Sequence, residues 1–126
     1  HAFVSACDTP FLVPELVKEI VSRVRPETDI LVPETASGLQ PLCAVYSRRC
    51  LQPIEQIFQQ GRFKIRDFFP QVRVETISAE DIRRFDEKAV SFININTAKD
   101  LSEAEAALAG FDRQASSGGD KEKNGA

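Results

Sequence analysis

The sequence predicts an α/β layered domain built on a mixed sheet, and three observations lead there. Short apolar runs alternate with stretches whose apolar residues recur at helical spacing, in the order strand, helix, strand, strand, helix, strand, strand, helix. Pro26, Gly38, Gly61 and Pro70 mark joins between these segments. The 126 residues, 42% of them hydrophobic, suffice for about one domain with a core of its own. Only about four or five strands can be counted, so the chain reads as the second half of a larger, incomplete sheet.

The first strand is the run from Ala2 to Cys7, which ends at Asp8-Thr9-Pro10. An apolar run so flanked suits a strand buried on both faces of a parallel sheet. Pro14 fits the first turn of a helix, where its missing N–H does no harm, and Leu16, Val17, Ile20, Val21 and Val24 repeat at helical spacing until Pro26. Residues 29–33 read as a second strand, residues 34–39 as a loop or hairpin connection, and residues 40–46 as a third strand with Pro41 near its start. Leu51, Ile54, Ile57 and Phe58 define another amphipathic helix that stops at Gly61, in the C′ position glycine favours. A shorter helix over residues 64–69, a strand over 72–77, a helical turn over 79–85 and a strand over 90–95 follow. Asn96-Thr97 caps a helix over residues 98–108. The organisation is therefore a domain over residues 1–111 and a disordered, Gly/Ser/Lys-rich tail over 112–126.

Charge and composition exclude several classes of function. A net charge of −3 gives no general attraction to nucleic acid or to anionic membranes. No apolar run approaches the roughly 20 residues a bilayer span needs. Cys7, Cys43 and Cys50 lack paired spacing, which argues against a disulfide framework and a zinc site and for a reducing, cytoplasmic setting. Cys7 and Cys43 fall in apolar runs and read as small buried hydrophobes. With His1 the sole histidine, a Cys–His nucleophile has no support. There is no glycine-rich phosphate loop, Walker sequence or nucleophile elbow.

Three places could carry chemistry. Asp8, at the carboxyl end of a strand, is either a Mg²⁺ ligand that holds nucleotide phosphates or a turn or capping aspartate. Asn94 and Asn96, two apart on a strand, would project to the same side and converge on a polar ligand; alternatively Asn96 or Thr97 caps the next helix. Arg62, Lys64 and Arg66 follow Gly61 and are either phosphate contacts or a solvated helix terminus. Gln40 presents an amide beside the site or simply starts a strand.

The order of these pieces is more specific than any one of them. Cys7-Asp8-Thr9-Pro10-Phe11-Leu12, Gln40-Pro41-Leu42 running into Ala44-Val45-Tyr46, Gly61-Arg62, and Phe92-Ile93-Asn94-Ile95-Asn96-Thr97 before Asp100-Leu101 resembles the molybdenum cofactor guanylyltransferases, or molybdopterin-guanine dinucleotide biosynthesis proteins A. The resemblance runs from about Phe3 to Leu108. It implies a three-layer α/β/α, Rossmann-like nucleotidyltransferase fold of the nucleotide-diphospho-sugar transferase type. It also implies transfer of GMP from GTP to molybdenum-bearing molybdopterin, with release of pyrophosphate. Asp8 would be the Mg²⁺-binding, nucleotide-contacting and catalytic carboxylate; Asn94 and Asn96 would lie near the pterin, Lys64 first and Arg62 second would hold it, and Gln40 would stand on the same side.

The resemblance also implies a preceding glycine-rich loop that cradles the nucleotide, and a guanine-reading segment. Because this chain opens at His1, inside its best candidate motif, it is expected to be the C-terminal portion of such a domain and inactive alone. The expected partners are GTP, molybdenum-molybdopterin, and cofactor-biosynthesis or molybdoenzyme proteins, with no nucleic acid and no membrane. The alternatives are a cytidylyltransferase or other nucleotidyltransferase of the same fold, and a non-catalytic binding fragment.

Overall fold

A computed structural model describes residues 1–116. It divides into a first unit, His1–Ile93, and a second that begins at Asn94.

The first unit is a mixed sheet covered on both faces. Its strands are β1 (Ala2–Ser5), β2 (Ile30–Thr35), β3 (Gly38–Leu39), β4 (Cys43–Tyr46) and β5 (Val74–Ile77). Its helices are α1 (Pro14–Ser22), α2 (Leu51–Gln59) and the short α3 (Ala79–Arg83). β4 lies antiparallel between β1 and β2, β5 runs parallel to β2, and β3 folds back on the end of β2 as a hairpin. Gly38 supplies the left-handed backbone this hairpin requires, with φ of 104°.

Side chains alternate across the sheet with period two, and both faces are dry. Ile30, Val32, Ala44 and Tyr46 face α2 and Phe68, while Leu31, Cys43, Val45 and Ile77 face Leu16 and Ile20 of α1 and Ile82 of α3. Burial on both sides is why residues 30–33 and 43–46 read as unbroken apolar runs. Phe68 is fully buried and alone contributes about 3 kcal/mol of transfer free energy.

Local signals in the sequence are honoured. Pro14 opens α1 at its first position. At the end of α2, Gly61 (φ 72°) adopts the left-handed conformation, and the Gly61 and Arg62 N–H groups return to the carbonyls of Phe58 and Ile57, a Schellman closure.

Several expectations are corrected. β1 is not the doubly buried parallel strand expected: among the described residues it pairs with β4 alone, antiparallel, and its ends Ala2 and Ser5 are exposed. Cys7 lies beyond it in an exposed turn. The expected helix over residues 64–69 is a 3-10 run, Ile65–Gln71, because Pro70 inside it cannot donate the bonds of an α-helix. The expected strand over residues 90–95 is a 3-10 turn, Val90–Phe92, followed by extended chain. Here the buried Asp86 carboxylate accepts the Val90 and Ser91 N–H groups at 2.9 Å each, and Ala89 is left-handed, so the donors a ladder would need are already used.

The second unit holds α4 (Ala98–Ser116), which runs past the expected stop at residue 108; the rest of the expected tail lies outside the described residues. Thr97 caps it reciprocally: its Oγ1 accepts the Asp100 N–H, and Asp100 Oδ2 accepts the N–H groups of Thr97 and Asn96, each at 3.1 Å.

Candidate functional site

Strand directions define one chemically distinctive edge. β4 is antiparallel to both β1 and β2, so β1, β2 and β5 all point the same way and their carboxyl ends share one edge of the sheet. In α/β sheets this is the edge where ligands bind. Asp8 follows β1 there, Thr35 ends β2, and Ser78 follows β5.

Asp8 is held by its backbone rather than by its side chain. The Ala6 N–H donates to the Leu42 carbonyl at 2.9 Å, extending the β1–β4 ladder, and the Thr9 hydroxyl donates back to the Ala6 carbonyl at 3.3 Å. Asp8 therefore sits in a tight turn, partly buried. It does not cap α1, whose N-cap is Val13 without any side-chain cap. Among residues 1–110 its carboxylate has no hydrogen-bond or ion-pair partner, unlike the other aspartates of that span: Asp29 is engaged with Arg49, Asp67 with Arg62, Asp81 with Arg23, and Asp86 and Asp100 with backbone N–H groups. An uncommitted carboxylate in that place can accept an external ligand without breaking anything in the fold.

Gln40 reaches the same edge. Its N–H donates to the Pro33 carbonyl and its side-chain amide to Thr35 Oγ1, both at 2.9 Å, which pins the approach to β4 against the end of β2. The Tyr46 hydroxyl donates to the Pro41 carbonyl and fixes the next residue. Gln40 and Asp8 are thus brought to one edge, by adjacent strands.

A cleft of about 340 Å³ opens at this edge. Thr35, Ser37 and Gln40 of the hairpin region line one side, and Arg83, Lys88 and Phe92 are among the residues that line the other. The far wall is the segment folded around Asp86. Its Ser91 Oγ also accepts the Val13 N–H at 2.9 Å, at the foot of the loop that carries Asp8. A larger cleft of about 440 Å³ lies at the opposite edge, beside His1, Ala2, Tyr46 and Ser47, and its walls include Val4, Ile54, Ile65 and Phe68. Size does not decide between the two; position and polarity favour the smaller.

The remaining sequence candidates are placed as follows. Arg62 is ion-paired with Asp67 at 3.3 Å, and Arg66 donates to the Leu39 carbonyl at 2.7 Å. Lys64 is exposed, has no partner among the described residues, and does not line the cleft. Asn94 and Asn96 belong to the second unit and are exposed on extended chain rather than on the expected strand. Sequence reasoning missed Thr35, Ser37, Arg83 and the Asp86–Ser91 pair. The available signal was Asp86 itself, an isolated aspartate followed four residues later by an apolar run, a pattern that can fold as a local side-chain turn.

No group of three or more His, Cys, Asp or Glu side chains forms a metal cage among the described residues. A lone free carboxylate nevertheless fits an ion such as Mg²⁺, which is often held by one or two carboxylates with substrate phosphates and water supplying the rest.

The carboxyl edge of the sheet thus holds a cleft and, outside its lining, the free Asp8 carboxylate, an arrangement compatible with a nucleotidyltransferase-type α/β domain. The chain belongs to the MobA-like NTP transferase domain family, whose model matches residues 1–76. It is 49% identical over 108 residues to a molybdenum cofactor guanylyltransferase of Desulfosudis oleivorans, which covers 86% of this chain and 54% of that protein. It is 41% identical over 101 residues to a protein of Pelotomaculum thermopropionicum named probable molybdenum cofactor guanylyltransferase, covering 80% and 49%. Among solved structures, molybdopterin-guanine dinucleotide biosynthesis protein A from Archaeoglobus fulgidus superposes with a TM-score of 0.76 at 31% identity, covering 86% of this chain and 55% of that one. The chain spans about half the length of the curated relatives it matches. Among the described residues no helix is long and apolar enough to cross a membrane.

Proposed function

We propose that this chain is part of a Mg²⁺-dependent guanylyltransferase that moves GMP from GTP to molybdenum-bearing molybdopterin, releasing pyrophosphate and forming the guanine dinucleotide cofactor. The observation that carries this reading is Asp8: a partly buried carboxylate without a partner among the described residues, at the carboxyl edge of the sheet, in a chain 49% identical to a molybdenum cofactor guanylyltransferase.

In the reaction, an oxygen of the acceptor's terminal phosphate forms a bond to the α-phosphorus of GTP as the bond to pyrophosphate breaks. Such transfers need positioning and charge neutralisation more than a protein nucleophile. Asp8 would hold Mg²⁺, which when bound offsets charge on the triphosphate. Gln40 orders the hairpin end beside the cleft, and Asn94 and Asn96 serve the pterin side. Lys64 is preferred to Arg62 for an outlying anion contact, because the Arg62 guanidinium is already paired with Asp67. The setting is the cytoplasm, and the product passes to cofactor-biosynthesis or molybdoenzyme proteins.

The test is Asp8→Ala in the full-length protein, with GMP transfer followed across Mg²⁺ concentrations. The expected result is loss of metal-dependent turnover by several orders of magnitude with the urea midpoint unchanged, since the carboxylate holds nothing in the fold. Unaltered turnover, or a preference for CTP over GTP in the wild type, overturns the reading.

A further inference from the structure

Arginines are the informative residues of this surface. Most are committed: Arg23 to Glu19 and Asp81, Arg25 to Glu75, Arg49 to Asp29, Arg62 to Asp67, Arg66 to the Leu39 carbonyl, and Arg73 and Arg84 to carboxylates at 3.8 Å. Among residues 1–110 only Arg48 and Arg83 have guanidinium groups without a hydrogen-bond or ion-pair partner, and each lines a cleft. Arg48 lies against the mostly apolar cleft at the far edge of the sheet, whereas Arg83 ends α3 at the carboxyl edge, in the cleft that faces the Ser37 hydroxyl and the Phe92 ring.

We propose that this cleft is the subsite for the acceptor's phosphate, with Arg83 as its anchoring residue and a planar heterocycle bearing a phosphate monoester as its ligand class. The assignment rests on the guanylyltransferase reading above for the reaction and its pterin acceptor, and on the cleft lining for the residues that would meet the phosphate and the ring. A guanidinium presents donors in a rigid fork that matches two phosphate oxygens, and a free one needs no ion pair broken before it binds. Lys88 adds a second cation to the lining, Glu87 is the acidic member, and Ser37 offers a hydroxyl donor from the opposite side. Phe92, packed against the core beside α1, gives a fixed aromatic surface for a flat ring. The volume of about 340 Å³ falls in the range of small-molecule sites. Where two phosphate-bearing substrates must meet, separate cationic and metal-binding groups at one sheet edge reduce their mutual repulsion.

The arrangement also assigns different work to the basic residues than their sequence order suggests. Lys64 lies outside the cleft lining, so the anion contact inside the cleft falls to Arg83, which comes from a different element.

The test measures binding rather than turnover. The full-length protein is titrated calorimetrically with a pterin carrying a phosphate monoester, with the same pterin lacking phosphate, and with GTP in the presence of Mg²⁺. Arg83→Ala is expected to weaken the phosphorylated pterin about 10- to 100-fold, the range for lost charge-assisted hydrogen bonds, while leaving the unphosphorylated pterin and GTP unchanged. Arg83→Lys, which keeps the charge but not the fork, recovers part of the loss. Arg48→Ala is the control for a free guanidinium elsewhere and is expected to change nothing. Unchanged affinity of Arg83→Ala for the phosphorylated pterin, or no binding of that pterin to the wild type, overturns the subsite, whether or not GTP binds. If Arg83 controls the phosphorylated pterin but the protein takes no GTP, the subsite stands and the guanylyltransferase reading falls.

Discussion

Ser91 Oγ accepts the backbone N–H of Val13 at 2.9 Å across 78 residues of sequence, joining the wall of the candidate cleft to the loop that carries Asp8. The bond depends on Asp86, whose buried carboxylate takes the N–H groups of Val90 and Ser91 and so turns the Ser91 side chain inward. Removing that carboxylate strands two donors, one of them within a buried contact. Asp86→Ala is accordingly expected to lower stability by about 3 kcal/mol, and Ser91→Ala by about 1 kcal/mol, in urea unfolding monitored by circular dichroism. An Asp86→Ala variant as stable as the wild type would show that water replaces these bonds without loss.

How far the fold was legible follows from how local each determinant is. Pro14, Gly61 and Thr97 act within a turn of themselves, and the structure uses each as its sequence neighbourhood suggests. The unbroken burial of residues 30–33 and 43–46 was legible as apolar runs because both faces are covered. The direction of β1 was not, because an apolar run of four residues carries no record of which strand it pairs with, and here the partner lies about 40 residues away. Residues 90–95 misled for the same reason: their β-branched and aromatic composition favours a strand, but Asp86 takes the backbone donors first. Motif order singled out Asp8 and Gln40, which the structure places at one edge of the sheet. Arg83 drew no notice in the sequence because a guanidinium becomes notable only when its neighbours are seen to pair elsewhere.

Thr97 gives a prediction confined to the second unit. Its Oγ1 accepts the Asp100 N–H, whereas Asn96 contributes only a backbone N–H to the cap. Thr97→Ala should therefore cost about 1 kcal/mol and speed amide exchange in the first turn of α4, while Asn96→Ala leaves that turn protected. Hydrogen exchange read by mass spectrometry separates the two. Equal loss of protection in both variants would transfer the capping role to Asn96.

The three cysteines differ in exposure, and from that a difference in reactivity is expected. Cys43 is buried, and desolvation raises its thiol to about 11, while Cys50 is raised by the same cause. Cys7 is exposed in the turn before Asp8. Iodoacetamide on the native protein near neutral pH should modify Cys7 alone, because the thiolate is the nucleophile and a buried thiol neither ionises nor admits the reagent. Peptide mapping after brief labelling checks this, with Cys43 and Cys50 reacting only once urea unfolds the chain. Labelling of Cys43 at the rate of Cys7 would mean that the sheet opens readily under native conditions.

Asp29 sets the pH dependence expected of the first unit. Its carboxylate accepts the Arg73 N–H at 2.9 Å and the Arg49 guanidinium at 2.6 Å, tying the start of β2 to the approach to β5 and to the turn after β4. The Arg73 hydrogen bond first, and then Arg49, hold the carboxyl below its usual range in the folded protein. A group depressed in this way contributes stability that is fully present above its unfolded pKa and is lost as pH falls through its lower, folded pKa. Stability should thus be flat near neutrality and decline on acidification below the ordinary carboxylate range. Asp29→Asn should be less stable than the wild type at pH 7 and converge on it in strong acid. Asp81, held low by its hydrogen bond to Arg23, leaves the variant a residual slope in the same direction. Urea midpoints taken from neutral pH into strong acid decide the matter: parallel curves for wild type and Asp29→Asn would show that the Arg73 and Arg49 contacts do not distinguish the charged carboxylate from the neutral amide.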